Sequence, residues 1–354
     1  MEEVRRHHRW AGLIGEFGLI ARLAERLARV GQPRPAGAEV HLGIGDDAAV
    51  TAPAGVTVTS TEALVEGVHF RRATAPANSI GRKALSVALS DVAAMGASAG
   101  EAYVALGIPD DLDEGACVEL YDGVAAVAAE TGTAVLGGDV TRAPVLVLAV
   151  TVVGHAASAD AVVGRDGASP DQAVVATGEL GGAAAGLLLL ERPELSSSLN
   201  PETSAALTRR QLEPRARLAA GAALASSGAA AMIDVSDGIG GDAGQLAAAS
   251  GVRVVIELER LPTQPGVIEV ASAAGVDAQE LVVAGGEDYE LLAVLPAERV
   301  AAATEAVVST GTKLTVVGRT TSGEGAELGA SDGSTRRASG FDHLRTRAER
   351  AEPG

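Results

Sequence analysis

This chain is poor in reactive and bulky side chains. A single cysteine, Cys117, stands among 354 residues, which excludes an internal disulfide framework and fits a reducing compartment. It lies in "EGACVELYDG", a helical pattern in which a thiol of core or surface is the plain reading and a nucleophile is not. Aromatics are 2 % of the chain, so its cores must be built from Ala, Val and Leu, which gain less per residue on burial. Basic charge is thin. There are 28 Lys and Arg against 46 Asp and Glu, a formal charge of −18, and lysine occurs only at Lys83 and Lys313. Nucleic-acid binding, which needs a basic footprint, is disfavoured, and a small anionic substrate would be repelled unless cations stood between. No apolar run reaches about 18 residues, so nothing reads as a membrane-spanning helix. "MEEVRRHHRW" has neither the apolar stretch nor the cleavage site of a signal peptide. Residues 1–14 read as a short disordered extension, and the cytoplasm is the expected location.

Hydrophobic residues make up 47 %, with 44 glycines, a globular composition long enough for two domains. "GEFGLIARLAERLARV" at 15–30 carries Phe17, Ile20, Leu23 and Leu27 at helical spacing. "GVTVTST" reads as a strand, "NSIGRKALSVALSDVAAMG" as a buried helix, and "VLVLAVTVVGH" as a long buried strand. Between them the pattern gives strands near 102–107 and 133–137 and a helix near 113–131. It restarts after "VGRDGASPDQ" with a strand at 173–177, a glycine-rich turn into a helix, then strand, acidic turn and helix over 229–250. Strands near 252–258 and 290–296 and the stretch "TKLTVVGR" close the core; beyond about 320 the chain reads mostly as loop. This organisation predicts an N-terminal domain over 15–157, a C-terminal domain over 158–345 and a tail over 346–354. "GIGDDA" in the first half and "SDGIGGDA" in the second suggest two related halves.

Acids recur in Gly, Ser and Thr turns: Asp46–Asp47, Glu62, Asp91, Asp139, Asp234, Asp237 and Glu287–Asp288. Singly each is a solvated turn carboxylate or a helix cap. Together they are harder to dismiss, because Asp91 lies in a nearly all-apolar helix and Asp234 follows a buried-looking strand. A buried carboxylate must be paired or must hold a metal. With so few bases the natural counter-charge is a metal ion, and oxygen donors without a Cys/His cluster suit Mg²⁺ rather than zinc. "GIGDDA" and "GIGGDA" also fit the relaxed dinucleotide fingerprint G-x-G-x-x-A, with Glu62 at roughly the right separation. That fingerprint needs bare backbone amides facing a pyrophosphate, and two carboxylates in the loop oppose it. The P-loop and protein-kinase motifs are absent. Carboxylates holding several Mg²⁺ ions, which in turn hold a polyphosphate, remain; phosphoryl transfer asks for this kind of positioning and charge neutralisation.

In this order, "GEFGLIARL", "GIGDDAAV", "STEALVEGVHF", "GRKALSVALSDVAAMGA", "LGGDVTRAP", "RDGASPDQAVVATGELGGAAAGL", "AMIDVSDGIGGDAGQLAAASG", "VVAGGEDYELLAVLP" and "GFDHL" resemble the thiamine-monophosphate kinases of the aminoimidazole-ribonucleotide-synthetase-like superfamily. The resemblance covers about 15–344, and "LVEGVHF" and "GGEDYEL" are its most specific parts. It implies ATP-dependent phosphorylation of thiamine monophosphate to the diphosphate by direct in-line transfer on several Mg²⁺ ions, with ATP as co-substrate. The fold it implies has two domains: an α/β N-terminal domain whose mixed sheet pairs into a barrel across a homodimer, and an α+β C-terminal domain. It assigns Mg²⁺ to Asp47, Ser60, Thr61, Glu62, Asp91, Asp139 and Asp234, with Asp237 at a further metal. It assigns ATP to Gly138, Asp139, Arg165, Ser236 and Tyr121, and the thiamine phosphate to His69, Glu287 and the ring of Phe341. No nucleic acid and no membrane enter. Taken alone, His69 is a core histidine or a phosphate donor, Arg165 a surface arginine or a phosphate ligand, and Lys83 a snorkelling lysine.

Three positions depart from the family pattern. Glu62 stands where Asp is usual, moving the carboxylate by about 1.5 Å in a site whose metal tolerates little. Val140 replaces a common Thr beside Asp139, and Phe341 a Tyr or Trp. Another ATP-using enzyme of the superfamily, or a nucleotide- or thiamine-phosphate-binding homologue impaired at Glu62, are the alternative readings.

Overall fold

Leucine spacing alone builds the first helix. In α1 (Gly15–Val30) Leu19, Leu23 and Leu27 fall four residues apart and are only 2–3 % exposed, the stripe that a 3.6-residue period turns inward. The computed structural model describes residues 15–31, 33–44, 48–338 and 340. It divides into two units: one runs to Val162 and takes back Leu212–Ala222, and the other holds Val163–Gln211 and the chain from Ala223 onward. The sequence carries no mark of that return, because a short helical stretch reads alike in either unit.

The first unit is built on a four-stranded sheet, β3 (Val56–Val65), β6 (Val147–Ala156), β4 (Ser98–Ile108) and β5 (Ala134–Arg142), in that order. β6 runs antiparallel to β3 and β4, and β5 is parallel to β4. Helix α3 (Glu114–Thr131) supplies the crossover that a parallel pair requires. It begins on Asp113, whose side chain accepts the Ala116 amide at 2.8 Å, and ends on left-handed Gly132. α2 (Ala77–Ala94) and α3 cross in backbone contact. A Cβ on Gly81 would lie 1.9 Å from the Leu120 carbonyl oxygen, and one on Gly123 would lie 1.9 Å from that of Asn78. Only glycine permits such an approach.

One face of the sheet is packed and the other open. Leu148, Val150 and Val152 of β6 are fully buried, whereas Val147, Ala149, Thr151 and Val153 are half-buried, and Thr57, Thr59 and Thr61 of β3 are exposed. The period of two puts these sets on opposite faces. An antiparallel pair precedes the sheet, β1 (Ala38–Leu42) with β2 (Val50–Pro53); β1 alternates apolar and polar residues over only five positions, a run too short to stand out.

The second unit holds a seven-stranded sheet. Its order is β13 (Thr335–Arg337), β12 (Gly325–Gly329), β9 (Arg253–Glu257), β11 (Leu314–Thr321), β7 (Ala173–Thr177), β10 (Leu291–Leu295) and β8 (Ala231–Asp234). All neighbours are antiparallel except β12 and β9. Val174 and Ala176, Leu292 and Val294, and Ile233 share a core with Leu189 of α4 (Gly182–Glu191), Leu246 of α7 (Ile239–Ser250) and Val267 of α8 (Val267–Ala274). Helices α5 (Pro201–Leu212), α6 (Leu218–Ser226), α9 (Ala278–Val283) and α10 (Val300–Ser309) complete the elements. The stretch beyond 320, which reads as loop, instead carries β12 and β13. Buried Ala326 and Leu328 alternate with Glu327 there, too short a pattern to stand out before β9 is known to pair with it. No described helix is long and apolar enough to cross a membrane.

Candidate active site

In the first unit the acids gather on the helix-covered side of β3. Ser60 and Glu62 lie on its more buried face, and the Ser60 hydroxyl donates to Asp91 Oδ2 at 2.5 Å. Asp91 comes from α2, whose other residues around it, Ser90, Val92 and Ala93, are buried. One strand turn and one helix thus place two carboxylates and a hydroxyl on one side of the sheet. Thr61 differs. Alternation sends its side chain to the open face, where it shares a hydrogen bond with Thr151 at 2.9 Å, so its hydroxyl does not stand with Ser60 and Asp91. Asp139 is exposed on the edge strand β5. Gly138 before it has φ +155, and a Cβ there would fall 2.0 Å from the Val104 carbonyl oxygen; glycine lets β5 run that close to β4.

His69 follows β3 in a tight turn. Its Nδ1 accepts the Val65 amide at 3.0 Å, its own amide donates to the Val65 carbonyl at 3.0 Å, and Lys83 Nζ donates to its carbonyl at 3.4 Å. With Nδ1 accepting, the proton of the neutral ring sits on Nε2, which becomes a donor. Lys83, 4 % exposed within α2, therefore fixes this turn rather than snorkelling to water. Tyr121 is 6 % exposed in α3, and burial pushes its hydroxyl pKa well up. A ring so placed packs helix against sheet and offers a nucleotide no face. Cys117 is buried likewise, its thiol pushed up to about 11 by burial first and then by Asp113 and Glu114.

In the second unit the strand ends meet at a pair of loops. Asp234, 5 % exposed, ends β8, and Ser236 and Asp237 lead into α7. Asp242, in the first turn of α7, reaches back so that its Oδ2 accepts the amides of Ser236 and Asp237, both at 3.1 Å. Burial, then the charges of Asp234 and Asp237, push its carboxyl well above the usual range, against the pull of those two amides. The opposite loop, 285–290, pairs with this turn: Glu287 N donates to Ser236 O at 2.8 Å and Tyr289 N to Val235 O at 2.8 Å. Ser236, Asp237 and Glu287 are thereby neighbours. Arg165 is exposed, and its carbonyl accepts the Ser250 hydroxyl at 2.7 Å, at the far end of α7. Roughly 16 Å of helix separates that point from the Ser236–Asp237 turn, so the two are not brought together.

Behind Glu287 lies a buried charge network. Asp288 caps α4, accepting the amides of Gly181 and Ala183 at 2.6 and 3.1 Å. Glu290 accepts the Thr177 hydroxyl at 2.7 Å and Arg210 Nη2 at 2.5 Å. Both acids are 0 % exposed. Burial raises the Asp288 carboxyl to about 6, although Arg210 and the two amides oppose it. A carboxyl whose pKa is higher folded than unfolded binds more protons in the folded state between the two values, so its contribution falls as pH rises through that window. About 3 kcal/mol is at stake at most, from a shift of about two units. Lowering the pH from 7.5 to 4.5 should let the wild type gain about 2–3 kcal/mol on Asp288→Asn, read by denaturant unfolding of both at each pH; parallel curves would show that Asp288 does not titrate in this window.

Asp47 and Phe341 lie outside the described residues. Among the described residues no group of three or more His, Cys, Asp or Glu converges on one point. The donors are instead single or paired carboxylates beside hydroxyls, all oxygen. That set fits Mg²⁺, which keeps waters and takes one or two carboxylates plus substrate phosphates rather than an all-protein cage. Asp242, Arg210 and Gln211 are the residues that sequence reading missed. Only Asp242 left a signal, an acid in the first turn of a helix opened by glycine.

Residues 45–156 match the AIR synthase related protein N-terminal domain, and 169–330 match its C-terminal domain. The thiamine-monophosphate kinase of Mycobacterium tuberculosis is 38 % identical over 282 residues, 79 % of this chain and 80 % of that one. The chain belongs to the thiamine-monophosphate kinase family. The crystal structure of the kinase from Stenotrophomonas maltophilia superposes with a TM-score of 0.78 at 33 % identity, covering 90 % of this chain and 97 % of that one. A further structure, AaThiL complexed with AMPPCP and TMP, superposes with a TM-score of 0.71 at 32 % identity, covering 93 % and 97 %. The four-stranded sheet falls within the first matched range, and all of the seven-stranded sheet except β13 falls within the second.

Proposed function

We propose that this protein transfers the terminal phosphoryl group of ATP to the phosphate of thiamine monophosphate, giving thiamine diphosphate and ADP. One observation carries the reading: Ser60 and Asp91 are joined across strand and helix in a chain whose family includes a member held with AMPPCP, an ATP analogue, and TMP. The P–O bond to ADP breaks as the bond to the acceptor phosphate oxygen forms, and no residue here is placed as a covalent nucleophile; the lone thiol is buried. Several Mg²⁺ ions would be held by Ser60, Glu62, Asp91 and Asp139 in the first unit and by Asp234 and Asp237 in the second. When bound they supply neutralisation of the phosphate charge that a chain at −18 otherwise repels. Glu62, half-buried on the same face of β3 as Ser60, is longer than an Asp and would meet its ion from further along the strand. In this reading Gly138, with no side chain, offers its backbone to a phosphate oxygen, and Ser236 offers a hydroxyl. His69 donates from Nε2 to the substrate phosphate, and Glu287 faces the remainder of the substrate.

The half-buried face of the first sheet supports a second copy packing there, with β3 and β5 its edge strands among the described residues. A homodimer formed through this face is part of the reading, with ATP as co-substrate. The test is direct. Incubation with ATP, Mg²⁺ and thiamine monophosphate is expected to yield one thiamine diphosphate per ADP with no free phosphate, and chelation of the metal should stop it. Absence of the diphosphate with every divalent metal tried would overturn the reading.

A further inference from the structure

We infer that Gln211 is a positioning residue for the reaction, acting through Glu287; the inference rests on the function proposed above. Three described non-glycine residues have positive φ, and two are in this loop, Glu287 at 70° and Tyr289 at 48°. Such a conformation costs free energy for an L-residue and persists only where its surroundings over-determine it, commonly at a functional site. Glu287 is held at two points. Its amide donates to Ser236 O at 2.8 Å, and Gln211 Nε2 donates to its carboxylate Oε2 at 2.5 Å. Gln211 stands at the end of α5, next to Arg210, which donates to the Asp288 carbonyl at 2.7 Å. Two adjacent helix residues thus grip two adjacent loop residues.

The way Gln211 is used tells what it is for. It is 5 % exposed, and its Oε1 is buried without a hydrogen-bond partner. A buried amide that serves packing alone satisfies both its ends or is replaced by an apolar side chain. Here one end is left unsatisfied so that the other points at a carboxylate. Turning the amide over would set oxygen against oxygen. Gln211 therefore costs stability and fixes where the Glu287 carboxylate sits. Its chemistry suits a carboxylate that must stay aimed, as an acceptor for N–H groups on a cationic or amine-bearing heterocycle such as the organic half of thiamine phosphate.

The experiment uses Gln211→Leu, similar in size but without the donor, together with Glu287→Ala and the double variant. Gln211→Leu is expected to melt at or above the wild-type temperature, since an unsatisfied buried oxygen is removed. It should raise the KM for thiamine monophosphate about tenfold, the size expected when a charged acceptor loses a donor. The KM for ATP should stay within about twofold, since the Glu287 amide, and not the carboxylate that Gln211 holds, meets Ser236. In the Glu287→Ala background the same change should have no further effect, the signature of action through that residue. Unchanged KM for thiamine monophosphate in Gln211→Leu, or losses that multiply in the double variant, would overturn the inference while leaving the kinase reading standing. A wild type that neither binds nor phosphorylates thiamine monophosphate would remove both.

Discussion

Asp91→Asn should lower turnover by about 10²–10³-fold, the range for loss of one preorganised electrostatic group at a phosphoryl-transfer site, while the protein remains folded. The substitution is chosen for its neutrality elsewhere. Asn keeps the size of Asp, and its side-chain oxygen still accepts the Ser60 hydroxyl, which Asp91 receives at 2.5 Å. Helix α2 keeps its buried flank of Ser90, Val92 and Ala93. What disappears is the charge and one of the two carboxylate oxygens. A half-buried carboxylate with one hydroxyl donor gives little net stability, so unfolding should move by no more than about 1 kcal/mol. Removing the hydroxyl instead, in Ser60→Ala, leaves the charge in place and should cost much less activity. The ordering of the two variants is the measurement: steady-state kcat at saturating ATP and Mg²⁺, with unfolding midpoints alongside. If Asp91→Asn retains a tenth or more of wild-type turnover, Asp91 does not hold a catalytic ion.

Much of this arrangement was legible in the residues because strong periodicity and strong motifs coincide. β7 falls at 173–177 and α1 at 15–30, where unbroken apolar runs and leucine spacing left one solution. The acidic turns were visible only as a set, because one acid beside glycine is an ordinary turn or cap and seven such places with few bases are not. What escaped was anything decided by pairing at a distance. Ser60 and Thr61 are adjacent in the chain and serve opposite faces of the sheet; only the register of β3 against β6 tells which hydroxyl meets Asp91. Tyr121 enters as a nucleotide-binding candidate by resemblance, and the packing of α3 buries it. Gln211 and Glu287 stand 76 residues apart and Arg210 and Glu290 stand 80, so no local pattern announces either contact. Strands β12 and β13 needed β9 as a template before their two apolar residues could mean anything.

The second large effect belongs to Arg210. Asp288 and Glu290 are both 0 % exposed, and Arg210 donates to Glu290 while its Nε lies 4.0 Å from Asp288. Burial works against the guanidinium charge, and Glu290 and then Asp288 outweigh it, so its proton is held more firmly than usual. Taking away one partner of a buried ionic set leaves the others uncompensated, which costs about 3–5 kcal/mol, far more than the set contributes net. Arg210→Met should therefore destabilise the protein by about that amount, most plainly at pH 7.5, above the value of about 6 to which burial raises the Asp288 carboxyl. Lowering the pH should return part of the loss, since protonation removes the uncompensated charge. Adding Glu290→Gln to Arg210→Met should return more, because a neutral amide still accepts the Thr177 hydroxyl that now meets Glu290 at 2.7 Å. Denaturant unfolding of the three proteins at pH 7.5 and 5 measures each term. A loss below about 1 kcal/mol in Arg210→Met, or a double variant no better than the single one, would mean that water already solvates the pair. A large loss with recovery would instead make Arg210 the residue that lets an acid-rich loop fold beside the strand ends, so that the left-handed turn at Glu287 forms on a settled base.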